Sequence, residues 1–265
     1  MSALEAALLG IVQGLTEFLP VSSSGHLVLA GAVLGLELPG VFFEVTVHVA
    51  TLCAVLWVYR ARIAELVRGA LAGDGESWRY GLLLALASVP AGLAGVLGRE
   101  FFEGAFDAPV QAAGALLVTG CVVWSLRITG PSAEEARPGP GTALLVGVAQ
   151  ALAIFPGISR SGATVATGVW RGVEPVRMAE FSFLMSVPAI AGAAFLQADG
   201  SLELARQMGT IPLLVGFVAA LVAGVLAIRV FVRMLRARSF HHFGYYCWAV
   251  GGLYLLAAWM SPGLW

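Results

Sequence analysis

The chain contains no lysine; all fifteen of its basic residues are arginine. Nothing in the sequence explains that choice. No basic residue precedes Arg60, which excludes the charged start of a cleaved signal peptide, so the N-terminal segment is expected to stay in the mature protein. Charge of either sign is scarce: charged residues make up 12% of the 265 positions and hydrophobic ones 59%, with a mean hydropathy of +0.88. A soluble domain carries about 25% charged residues, so the composition points to an integral membrane protein. A net charge of −1 argues against a nucleic-acid partner. The three cysteines, Cys53, Cys121 and Cys247, each fall inside an apolar run, which argues against a disulfide framework or a zinc site.

What is present is a repeat. Its first copy is Gln13-Gly-Leu-Thr-Glu17-Phe-Leu-Pro-Val-Ser22-Ser23-Ser24-Gly25-His26. Its second is Gln150-Ala-Leu-Ala-Ile-Phe-Pro156-Gly157-Ile-Ser159-Arg160-Ser161-Gly162-Ala-Thr164. Aligned without a gap from Gln to Gly, thirteen positions share Gln, Leu, Phe, Ser, Ser and Gly. Roughly one match is expected by chance at ordinary residue frequencies. The copies have diverged in chemistry: Glu17, Ser23 and His26 of the first face Ile154, Arg160 and Ala163 of the second.

Six stretches are long and apolar enough to span hydrocarbon as helices: 41–60, 80–98, 109–127, 179–197, 211–230 and 243–260. The two motif regions are apolar but broken, and irregular backbone at membrane depth needs protein or a water-filled cavity around it. A re-entrant hairpin is the natural reading. The arginines test it for the second copy. With Arg160 set aside, a re-entrant 142–170 leaves twelve arginines on one side of the membrane and only Arg99 and Arg206 on the other, whereas a crossing 142–170 divides them seven and seven. The uneven split obeys the positive-inside rule. The expected fold is therefore an all-α polytopic membrane protein with six transmembrane helices plus two re-entrant helical hairpins, as one integral-membrane domain over 1–265. Its halves, about 1–130 and 131–265, would form an inverted-topology internal repeat joined by the proline-rich linker 128–141. Such repeats bring broken elements together near the midplane.

Ser22, Ser23, Ser24 and Gly25 precede an apolar helix, and Ser159, Ser161 and Gly162 repeat the arrangement. Small residues with free backbone N–H groups at a helix start suit an anion, and Arg160 adds a planar fork for phosphate. His26 can act as nucleophile or general acid/base. Glu17 could bind a divalent cation or orient the histidine, with Gln13 one turn away on its face. Each serine alone reads rather as helix glue, and their clustering twice in register turns the reading toward function; ionisable groups inside a membrane, here Glu17, His26 and Arg160, read as functional. His48 sits mid-span with no partner in the sequence, so both readings stay open. The arginines from Arg229 to Arg238 suit anionic lipid headgroups.

These two motifs, with Phe43-Glu44-Val45 and Glu180-Phe181-Ser182-Phe183, resemble those of the undecaprenyl-diphosphate phosphatase family, the bacitracin-resistance proteins, over essentially the whole chain. The resemblance implies an enzyme of the bacterial plasma membrane that removes the terminal phosphate of a polyprenyl diphosphate lipid, at a site open to the outer side. It implies inverted repeats with two re-entrant hairpins, and a homodimer is compatible with it. Gln13 and Glu17 match the family's acidic pair, with glutamine in the first place. Ser23 and His26 match the hydroxyl and imidazole of the first motif, and Ser159, Arg160, Ser161 and Thr164 the phosphate-binding second motif. A divalent cation, Mg²⁺ or Ca²⁺, is implied as cofactor, with Glu17 as its ligand. Ser23 or His26 would attack phosphorus; His26 is the marginal preference, because a neutral imidazole needs no base and a serine does. The competing class is a prenyl-phosphate flippase using the same loops, and a third reading is a membrane scaffold.

Overall fold

Prolines and glycines decide where this chain breaks. In the computed structural model, residues 1–34, 40–128, 137–196 and 209–261 are described. Among them are twelve α-helices: α1 Ala3–Phe18, α2 Ser23–Leu34, α3 Gly40–Val58, α4 Arg60–Leu71, α5 Gly75–Leu97, α6 Arg99–Ala105, α7 Pro109–Ser125, α8 Pro140–Leu152, α9 Arg160–Trp170, α10 Pro175–Leu196, α11 Thr210–Arg236 and α12 Phe243–Met260. No strand occurs among the described residues. Arg206 and the linker residues Pro131, Glu134 and Glu135 lie outside them.

Helix α1 starts on a capping box between Ser2 and Glu5. It stops at Phe18 because Leu19 precedes Pro20 and takes an extended backbone, φ −67° and ψ 147°. After three further residues the chain restarts as α2. Helix α8 stops at Leu152, before Pro156-Gly157, and α9 restarts at Arg160. Both motif regions are thus helix–loop–helix units.

Three helices, Gly75–Leu97, Pro109–Ile128 and Thr210–Arg236, have the length and apolarity to cross a membrane. A fourth is reached if Phe42–Val58 is joined to Arg60–Leu71 across a 70° bend. The sequence reading of a straight span over 41–60 therefore changes at its end: the chain turns at Tyr59, and the arginine-bearing α4 leaves the axis of α3. The stretches read as 179–197 and 243–260 are the helices α10 and α12. Many large apolar side chains point outward, among them Leu82, Leu93, Val96 and Leu97 on α5 and Leu214, Val218 and Val222 on α11. An outer apolar surface of that extent suits lipid, and the protein is a multi-pass helical membrane protein.

The two motif units pack on neighbouring helices through small residues. Gly10 and Gly14 of α1 lie against Gly216, Ala220 and Gly224 of α11, where a Cβ on Gly10 would strike the Gly216 carbonyl. Gly147 of α8, the counterpart of Gly10 in the second copy, meets the Ala87 carbonyl and Pro90 of α5 in the same way. Close backbone approach of this kind is how helices associate without a hydrophobic drive. Beneath the loops a buried aromatic cluster joins several helices. Phe18 meets Phe183 edge-on at 5.4 Å, and Phe183 meets Phe231 at 5.8 Å.

Candidate active site

The two motif loops touch. The Ser22 hydroxyl accepts hydrogen bonds from Gly25 N (3.2 Å) in its own loop and from Gly157 N (3.1 Å) in the other. A Cβ on Gly25 would lie 2.8 Å from the Gly157 Cα. Thr119, projecting from α7, donates to the Gly157 carbonyl at 2.7 Å and accepts from Ser159 N at 3.0 Å. Ser161 donates across the junction to the Leu19 carbonyl. Local bonding repeats as the sequence does. Ser159 caps α9 by accepting from Gly162 N at 3.1 Å, as Ser22 does from Gly25 N, and each has a second serine hydroxyl beside it, Ser161 at 3.2 Å and Ser24 at 3.3 Å.

Two residues at this junction have positive φ. Ser22 has φ +66°, uncommon for a residue with a Cβ. That turn aims its carbonyl at His26, whose backbone N (3.2 Å) and Nδ1 (2.8 Å) both donate to it. Gly157 has φ +92°, and a Cβ there would collide with the Ala112 carbonyl of α7. Gly157→Ala is accordingly expected to lose stability by more than the roughly 1–3 kcal/mol of left-handed strain alone. A thermal melt of the purified protein in detergent checks it: a melting point close to that of the parent would refute the close approach of the loops.

At this junction Ser23 and Arg160, which hold equivalent places in the two copies, converge on one carboxylate. Glu17 Oε2 accepts from Ser23 Oγ at 2.7 Å and from Gln13 Nε2 at 3.1 Å; Glu17 Oε1 accepts from Arg160 Nη2 at 2.6 Å. The Glu17 side chain is 9% exposed and that of Arg160 15%. A charge pair so buried persists only with good geometry and satisfied lone pairs. Arg160 Nη1 and Gln13 Oε1 are buried without a partner, which leaves a donor and an acceptor open to something that enters the site. His26 stands apart from that carboxylate: its Nε2 lies 2.8 Å from the Tyr246 hydroxyl of α12, and the two rings are stacked.

The other sequence candidates fall into place around this group. Ser22 and Gly25 form the contact between loops, and Ser24 is half-buried at the start of α2. Ser159, Ser161 and Thr164 are buried. Their hydroxyls are engaged by protein, Thr164 with the Arg160 carbonyl (2.7 Å) and Ser182 (2.6 Å). They set the position of α9 and hence of Arg160. Sequence reasoning missed Thr119 and Tyr246, for which no local signal exists. It left His48 open; here His48 Nδ1 donates to the Glu44 carbonyl at 2.7 Å and Nε2 stands 3.8 Å from Glu17 Oε2.

The residues do not fit a resident divalent cation. The group offers one carboxylate, and its two oxygens already serve Arg160, Ser23 and Gln13. Among the described residues no three of His, Cys, Asp and Glu gather as a metal site. Hard cations take six or more oxygen ligands, and a guanidinium 2.6 Å from Glu17 repels a second positive charge.

Comparison with known proteins agrees with the geometry. Residues 6–253 match the family described as bacitracin resistance protein BacA. An undecaprenyl-diphosphatase of Salinibacter ruber is 42% identical over 263 residues, covering 94% of this chain and 97% of that protein. One of Desulfatibacillum aliphaticivorans is 39% identical over 97% and 99% of the two chains, and one of Bacteroides thetaiotaomicron 36% identical over 96% and 97%.

Proposed function

The chain belongs to the bacitracin resistance protein BacA family, and from that premise we propose that it is a membrane undecaprenyl-diphosphatase. It hydrolyses undecaprenyl diphosphate to undecaprenyl phosphate and inorganic phosphate, returning the lipid carrier to cell-wall synthesis. The observation that carries this reading is the Glu17 carboxylate held between the Ser23 hydroxyl and the Arg160 guanidinium at the start of two helices. A half-buried hydroxyl with a carboxylate at hydrogen-bond distance has the geometry of a nucleophile with its base. A carrier that only moves a lipid phosphate has no need of that pair.

The geometry supports Ser23, not His26, as the attacking group. The terminal phosphate enters against Arg160 Nη1 and the N–H groups at the starts of α2 and α9, where helix ends favour anions. Arg160 is then drawn toward phosphate oxygens, which weakens its hold on Glu17 and raises the basicity of that carboxylate. Ser23 Oγ attacks phosphorus, its proton passes to Glu17 Oε2, and the bond to the bridging oxygen breaks to release undecaprenyl phosphate. Arg160 and the loop amides stabilise charge on the equatorial oxygens. Water then hydrolyses the phosphoserine. No step uses a divalent cation; Arg160 supplies the positive charge.

For the architecture we propose six crossings and two re-entrant hairpins related by an inverted repeat, in the bacterial plasma membrane with the site open to the outer face. The pairing of α1 with α11 and of α8 with α5 supports this, because exchanging the halves exchanges the two pairs. Arg62 and Arg137, both on the side with twelve arginines, pair with Glu180 and Glu76. Single cysteines introduced in 61–79 should react with an impermeant thiol reagent only from the cytoplasm, and those in 99–108 only from outside. Reaction of both segments from one side contradicts six crossings.

The activity itself is tested by phosphate release from undecaprenyl diphosphate by the purified protein in detergent, with and without EDTA. Release in both conditions is expected. No release in either, with the protein folded, refutes the phosphatase reading.

A further inference from the structure

Hydrolysis of a phosphoserine poses a proton problem that Glu17 does not solve alone. After the first half of the reaction Glu17 carries the Ser23 proton and must return it to Oγ as the P–Oγ bond breaks. The attacking water therefore needs a second base. His26 lies three residues after Ser23 on the same helix, a spacing that brings side chains to one face. Its Nδ1 is 2.8 Å from the Ser22 carbonyl. That oxygen can only accept, so the neutral ring carries its proton on Nδ1 and its lone pair on Nε2. The Tyr246 hydroxyl, 2.8 Å from Nε2, must then be the donor. The two rings are parallel within 3° at 5.5 Å. Tyr246 is 45% exposed, so protein does not close off its ring.

His26 aligns with Ala163 of the second copy, so the imidazole, like Glu17 and Ser23, belongs to the first copy alone.

We propose that the Tyr246 hydroxyl relays the proton of the attacking water to His26 during hydrolysis of the phosphoenzyme; the inference rests on Ser23 being the nucleophile. In that step the water oxygen bonds to phosphorus and the P–Oγ bond breaks. Oγ recovers its proton from Glu17, Tyr246 passes its proton to His26 Nε2 and takes one from water, and the imidazolium later loses its proton to solvent. No oxidant, reductant or co-reactant is needed.

The test is a rapid-quench time course with undecaprenyl diphosphate that measures undecaprenyl phosphate and inorganic phosphate separately. Tyr246→Phe keeps the ring stack and removes the relay. It should release a first equivalent of undecaprenyl phosphate at the rate of the unaltered enzyme, then free phosphate about 100-fold more slowly, the lower end of what general base catalysis contributes. Phosphoserine should accumulate. His26→Gln should behave alike, and the double variant should be no slower than the slower single one. A tyrosine that only braces α12 would slow both products together. Equal slowing of both products, or phosphate release at the unaltered rate, overturns the relay. If the unaltered enzyme forms no phosphoserine and Ser23→Ala still turns over, the nucleophile assignment itself has failed, and the relay with it.

Discussion

Ser23→Ala is expected to abolish phosphate release while the protein stays folded and still binds its lipid. The Ser23 hydroxyl makes its hydrogen bond to Glu17 Oε2, and the backbone–hydroxyl bonds between the loops use other residues, Ser22 with Gly157 and Ser161 with Leu19. Removal of one oxygen therefore deletes the nucleophile without loosening the junction. In a serine hydrolase the loss of the nucleophile costs on the order of 10⁶ in kcat; a residual rate from the phosphate-binding groups would remain. Turnover by purified Ser23→Ala, beside its melting temperature and its affinity for a non-hydrolysable diphosphate analogue, checks this. A loss of less than about tenfold would move the nucleophile elsewhere.

The second large effect belongs to Arg160. Arg160→Lys keeps a positive charge but gives up the planar fork that lets one nitrogen hold Glu17 at 2.6 Å while the other, Nη1, stays free for phosphate. A lysine ammonium can serve one partner well. Turnover should fall roughly a hundred- to thousandfold, the cost of losing a transition-state donor, with a smaller change in KM. Arg160→Ala should be worse for stability as well, because it leaves Glu17 buried without its counter-charge, a loss of about 3–5 kcal/mol in comparable buried pairs. Steady-state kinetics with thermal melts separates the two variants. Near-normal kcat in Arg160→Lys would make this arginine a structural cation only.

Much of this site could be read from the chain before any coordinates. Two serine-glycine loops in register, each after a helix-breaking proline or Pro-Gly step, specify two interrupted helices with capped restarts, and the caps are Ser22 and Ser159 as the repeat implies. The intramembrane charges Glu17 and Arg160 are costly when isolated, and they are in fact paired. What the chain did not disclose is which neighbour each group chooses. Ser23 and His26 look like partners because they are three residues apart on one helix. The break at Leu19-Pro20 instead returns Ser23 to the carboxylate six residues earlier, and His26 turns to a tyrosine 220 residues away. Ser161 and Thr164 looked like phosphate ligands, but the rotation of α9 sends their hydroxyls inward, to the Leu19 carbonyl and Ser182. A helix's rotation is set by its tertiary neighbours, and a repeat motif carries no information on it. Thr119 is one hydroxyl in an apolar run, and only the fold reveals it as the brace beneath Gly157. The turn at Tyr59 and the short helix Arg99–Ala105 were likewise invisible, because hydropathy gives the extent of an apolar run and not its direction.

The central claim is that Ser23, activated by Glu17, takes up the terminal phosphate. The most direct measurement is a rapid acid quench of the purified protein turning over undecaprenyl diphosphate labelled in its terminal phosphate, followed by mapping of the label. The account predicts acid-stable label on Ser23, absent in Ser23→Ala and reduced in Glu17→Gln. Acid-labile label on His26 would contradict it. So would no label under any quench together with inversion at phosphorus, the signature of direct attack by water.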